Sequence, residues 1–126
     1  MVFTARINNK FTDQGEKIVH HMIVMDITVK NNPTHVLAPT WGIVMEFKHG
    51  KITWDEYKKR YIALLIERYK TRKDEFINII KLSRQYNVVL TCFCRDPNQC
   101  HRTVAKEFLS LCLFWPPMVT NENEKE

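Results

Sequence analysis

No cysteine occurs before residue 92, and Cys92, Cys94, Cys100 and Cys112 all fall in the last third of the chain. That is not the dispersed framework of a disulfide-stapled secreted scaffold, and it points to thiols in a reducing compartment. No apolar run approaches the ~18 residues that a membrane-spanning helix needs. The charged-then-apolar pattern of a secretory leader is missing as well. The expectation is a soluble, cytoplasmic protein with no membrane partner. Internal repeats and low-complexity linkers are absent, which excludes repeat arrays. Acidic residues are outnumbered 14 to 19 by Lys and Arg, for a formal net charge of +5. That balance favours anionic partners: an anionic small molecule or nucleotide, or a nucleic acid. Scattered cations on solvated helix faces account for it equally well.

What is present is the composition of a folded domain: 44% hydrophobic, 11% aromatic and 26% charged residues in a chain of 126. Residues 1–117 are expected to form a single α/β domain, followed by a flexible acidic tail over 118–126. Apolar and polar side chains alternate over 3–7, as in a half-buried strand, and Asn8-Asn9-Lys10 ends it. A second strand is expected within 22–29, rich in β-branched residues and methionine. Thr40 is a credible N-cap for a short helix over 41–49 that Gly50 stops. Thr53-Trp54-Asp55-Glu56 has the form of a capping box at the start of the next helix. There Trp54, Tyr57, Tyr61, Leu64, Leu65 and Arg68 recur at helical spacing, a stripe read as core packing. A third helix over 73–86 turns Phe76, Ile79, Ile80 and Ser83 to one side. Val88 to Phe93 is a continuous apolar run of strand length, the pattern of a central parallel strand covered on both faces. Val104, Phe108, Leu111 and Cys112 mark the inward face of a last helix that Pro116-Pro117 terminates. The sum is a small, single-domain, three-layer α/β fold with a mostly parallel sheet. Its site is expected outside the carboxyl ends of the strands.

The stretch Cys94-Arg95-Asp96-Pro97-Asn98-Gln99-Cys100-His101-Arg102 packs two thiols, an imidazole and two guanidinium groups between that strand and the last helix. A helix N-terminus favours anions and lowers thiol pKa values. Cys94 is therefore the candidate nucleophile or redox thiol, with His101 as acid or base. Arg95 and Arg102 are the candidate anion-binding cations. Likeness to a phosphatase loop is only partial, because the sixth residue after Cys94 is Cys100 and the arginine comes two places later. Cys92 faces the same side of its strand as Cys94 and reads as a small core residue. Cys100 has four readings open to it: resolving an oxidised Cys94, joining Cys92, Cys94 and His101 around zinc, binding ligand, or packing. The Cys-x-Cys-x5-Cys-His spacing departs from the usual zinc knuckle, so no metal and no cofactor is assigned. Arg6 and Lys30, at the ends of the first two strands, reach the same crevice if the sheet is parallel.

Together, Thr4-Ala5-Arg6, Asp26 to Lys30, Leu37 to Trp41, Lys51 to Tyr57 with Tyr61, and Cys92 through Arg102 resemble the domain-of-unknown-function 488 family of small bacterial, archaeal and viral proteins. The resemblance spans nearly the whole chain except its tail, and the Cys-His-Arg ending is its most specific element. It implies a small α/β domain whose site is the loop after the last strand, in the host cytoplasm if the source is a virus. It adds Thr4, Arg6, Lys30 and Trp41 as site-lining candidates and implies no reaction.

Three functions remain open on these residues. The first is an enzyme that binds a phosphorylated or nucleotide-like ligand at the Cys94 loop. The others are a non-catalytic nucleic-acid or protein binding module, and a loop stapled by zinc or a disulfide.

Overall fold

A computed structural model describes residues 1–114. Three strands, β1 (Val2–Arg6), β2 (Ile23–Asp26) and β3 (Val88–Cys92), form an all-parallel sheet in the order β1-β3-β2. β3 is central and buried at every residue, which explains its unbroken apolar sequence. Four α-helices follow the chain order α1 (Trp41–Lys48), α2 (Trp54–Thr71), α3 (Lys73–Gln85) and α4 (His101–Phe114), the last preceded by a 3₁₀ turn over Pro97–Gln99.

The main core joins Val88 and Leu90 of β3 to apolar side chains of the helices, among them Tyr61, Leu65, Phe76, Ile80, Ala105 and Leu109. Phe3, Ala5 and Val89 form a second, smaller cluster with Ile18 and Met22. The connection between β1 and β2 therefore supplies one covering layer of the sheet. It also protects an edge. The Thr4 amide donates to Gln14 Oε1 at 2.9 Å, and the Asp13 amide donates to the Thr4 carbonyl at 2.7 Å. Those groups of an edge strand would otherwise be left open to a foreign strand.

Most element boundaries follow from local chemistry. Thr40 Oγ1 accepts from the Ile43 amide, and Gly50 takes the positive φ of 72° that ends α1. Thr53 Oγ1 accepts from the Glu56 amide, but the return half of the capping box is not made. The Glu56 carboxylate turns instead to Arg60 Nε at 3.0 Å. The inward face of α4 is carried by Val104, Ala105, Leu109 and Cys112, whereas Leu111 is exposed. Its phase is fixed by His101 and Arg102, both buried, and positions three, four, seven and eight residues on from them share their face. Pro116-Pro117 and the acidic tail lie outside the described residues.

Candidate functional site

The carboxyl ends of β2 and β3 open toward α4, and two loops close the space between them. After β2, the Asp26 carboxylate accepts from the Thr28 amide (2.9 Å), Thr28 Oγ1 (2.7 Å) and Asn31 Nδ2 (2.7 Å). Burial raises the Asp26 pKa, but those donors outweigh it and hold the carboxyl below its usual value. The loop so fixed aims the Ile27 carbonyl at His101 Nε2, 2.9 Å away. A carbonyl only accepts, so Nε2 carries the proton and Nδ1 keeps its lone pair. The His101 ring is buried and edge-on to Tyr61, and burial holds its pKa below the ordinary imidazole value.

The second loop places the sulfurs. Cys92 ends β3, Cys94 lies in the loop that follows, and Cys100 directly precedes α4, so a strand end and a helix start bring the sulfurs together. One ligand atom from each of Cys92, Cys94, Cys100 and His101 lies within 4.8 Å of all the others. Cys92 and Cys100 are fully buried and Cys94 is half-buried. Arg102 is fully buried behind them. Its Nη1 donates to Cys92 Sγ (3.2 Å), Cys100 Sγ (3.3 Å) and the Cys94 carbonyl (2.8 Å), while Nε and Nη2 grip Asp13 at 2.8 and 3.1 Å.

The charge at this helix start therefore serves sulfur rather than solvent. Hydrogen bonding with Cys100 and then Cys94, together with His101 and Arg102, drives the Cys92 pKa far down against the cost of burial. Cys100 is driven up by burial and by its two neighbours. For Cys94, hydrogen bonding with Cys100 pulls downward, but Cys92 and burial prevail and push it up to about 11. The three close sulfurs titrate as one set, and the Arg102 guanidinium beside Cys92 and Cys100 favours negative charge among them.

Beside the cluster lies a pocket of about 340 Å³. Trp41, Phe47, Trp54, Tyr57 and Phe93 line it with aromatic faces; Lys30, Lys48 and Arg95 add cations, and Asp96 one carboxylate. Cys94 and His101 are part of its wall. Trp54 and Tyr57, read from sequence as core, serve both the core and this wall.

The sequence candidates thus divide. Cys94, His101, Lys30, Trp41 and Arg95 meet at the pocket, with the Lys30 ammonium 5.6 Å from the Phe93 ring centroid. Cys100 and Arg102 stand behind it in the cluster. Arg6 donates to the Phe93 carbonyl at 3.3 Å. Thr4 is buried on β1, and its hydroxyl donates to Asp13 Oδ2 at 2.6 Å. It orients the carboxylate that holds Arg102. Asp13 itself was missed, because nothing local in Thr12 to Gly15 marks a partner for a residue in α4.

No curated protein and no solved structure matches the chain. A family model does, over residues 20–111, and its description is the Active DUF488-N3 subclade. The matched span runs from before β2 well into α4 and takes in the pocket and every member of the Cys/His/Arg cluster; on that span, the chain belongs to the DUF488 family.

Proposed function

We propose that the protein is an enzyme acting on a nucleotide-like small molecule, with the ligand's aromatic ring in the pocket and its anionic group on the cations at the mouth. The observation that carries this reading is the make-up of one cavity: five aromatic side chains, Lys30, Lys48 and Arg95, and the sulfur of Cys94 with the ring of His101 in the same wall. Aromatic faces stack on any base, and lysine or arginine beside them selects the charged ligand over a neutral ring. The pocket's size and mainly apolar lining suit small-molecule binding. Cys94 is the sulfur presented to the ligand, and the His101 ring stands next to it. Arg102 keeps a positioning role, since its donors are committed to Asp13 and the cluster.

Calorimetric titration with AMP, GMP, CMP and UMP tests the reading, with adenosine as the uncharged control. The expected result is saturable binding of at least one nucleotide, weaker binding of the nucleoside, and loss of the difference in Arg95→Glu or Lys30→Glu. Bound nucleotide should also slow iodoacetamide labelling of Cys94 and leave Cys112 unaffected. Failure of all four nucleotides to bind at millimolar concentration, with no protection of Cys94, would overturn it.

A further inference from the structure

Two members of the cluster, Cys94 and His101, also line the pocket, but Cys92, Cys100 and the Arg102 support behind them have no part in ligand binding. We propose that Cys92, Cys94, Cys100 and His101 form a tetrahedral zinc centre that locks the Cys94 loop onto the ends of β2 and β3. With Zn–S bonds of about 2.3 Å, the ligand atoms of a tetrahedral site stand about 3.8 Å apart. The four ligand atoms already lie within 4.8 Å of one another, so the set is drawn together to nearly that spacing. Three of the four residues belong to β3, to α4 or to the position joined directly to it, which makes the set preorganised.

Two further contacts belong with a metal centre. His101 gives its Nε2 proton to the Ile27 carbonyl, leaving the other ring nitrogen as a donor with fixed orientation. Metal-bound imidazoles are held in just this manner, by a carbonyl or carboxylate on the far nitrogen. Arg102 Nη1 donates to two of the three sulfurs, 3.2 and 3.3 Å away. Three thiolates and a neutral imidazole leave a bound Zn²⁺ with one net negative charge, and an N–H donor at the sulfurs offsets it. Three thiolates and one nitrogen in a tetrahedron select zinc over magnesium or calcium, which take oxygen ligands. A disulfide would use two of the sulfurs and leave the third buried beside a guanidinium, without a role. The metal also suits the pocket, because a thiolate bound to zinc is deprotonated outright, and Cys94 would face the ligand in that form.

The test is made on the full chain, reduced, stripped with a chelator and titrated with Co²⁺ in the absence of nucleotide. One equivalent should give the visible ligand-field and sulfur-to-cobalt charge-transfer bands of a tetrahedral thiolate site, and one equivalent of Zn²⁺ should bleach them. Cys94→Ser changes a half-buried residue at the edge of the cluster and should weaken Co²⁺ binding by more than about 100-fold, beyond what loss of a supporting contact costs. Cys112→Ala, outside the cluster, should leave it unchanged. The inference falls if the wild-type protein shows no tetrahedral bands with excess Co²⁺, or if Cys94→Ser and Cys112→Ala bind it alike. Because no nucleotide is present, either result leaves the pocket reading standing or falling on its own titration.

Discussion

Asp13 and Arg102 lie 89 residues apart and form a two-point ion pair, with Nε to Oδ2 at 2.8 Å and Nη2 to Oδ1 at 3.1 Å. The Arg102 side chain is 1% exposed and that of Asp13 16%. Asp13→Asn removes the carboxylate that holds a buried guanidinium, and breaking such a pair costs about 3–5 kcal/mol. The lower end applies here, since Asp13 reaches some solvent. Urea unfolding should show a lowered midpoint at unchanged slope, and Arg102→Lys should be comparably destabilised because an ammonium cannot span Asp13 and two sulfurs together. A loss below 1 kcal/mol in both variants would mean that the pair is not what holds the β1–β2 connection to α4.

Residues 34–38, which lead into the pocket residue Trp41, have no secondary-structure partner and are pinned by α2 and its C-cap. Tyr61 Oη donates to the Leu37 carbonyl (2.5 Å), Arg68 Nη1 to the Val36 carbonyl (2.8 Å) and also to that of Ala38, and Arg72 Nη2 to the Thr34 carbonyl (2.7 Å). Val36, Leu37 and Ala38 are buried, so carbonyls stripped of these donors would go unpaired. Arg68→Met keeps the apolar stem and removes the donors, at an expected cost of about 1–3 kcal/mol in urea unfolding. Hydrogen exchange should quicken at the Leu37 and Ala38 amides while β3 stays protected.

The elements that sequence made legible are those whose reasons are local. β3 shows as an apolar run because both its faces are covered, and the starts of α1 and α2 show in Thr40 and Thr53, each capping an amide three residues on. The Cys94 loop was legible because its thiols, imidazole and guanidiniums are neighbours in the chain. What stayed hidden depends on distant partners. Arg102 looked like a ligand-binding cation because its counter-ion, Asp13, arrives from a loop whose path no local pattern dictates. For the same reason accessibility alone pointed to Cys94, while the guanidinium reaches the sulfurs of Cys92, two residues earlier, and Cys100. Leu111 was assigned to the core on hydrophobicity, but burial of His101 and Arg102 sets the phase of α4 and turns it outward.

Trp41 separates the pocket's role in binding from any role in folding. It is 49% exposed and heads α1, so Trp41→Ala should change stability by no more than about 0.5 kcal/mol. Loss of base stacking costs about 1–3 kcal/mol, a 5- to 150-fold weaker nucleotide Kd. Equal losses of stability and affinity in calorimetry would show instead that Trp41 anchors the fold.

His35 gives the fold a pH dependence whose sign follows from its surroundings. Its Nδ1 accepts the Leu37 amide at 3.0 Å, which requires a neutral ring. Burial holds its pKa below the ordinary value; Glu75 opposes the shift, and Arg72 and Arg68 add to it. In the unfolded chain the imidazole takes up a proton near pH ~6.5, before the native protein does. The contribution is therefore complete above that pH and is lost as pH falls through the depressed native value. His35→Asn preserves an acceptor for the Leu37 amide and removes the titration. Between pH 7.5 and 5, unfolding free energy should fall less steeply in His35→Asn than in the wild type. Buried His101 titrates in both proteins and leaves a residual slope in each. Parallel curves across the whole range would show that the native imidazole of His35 is as readily protonated as the unfolded one.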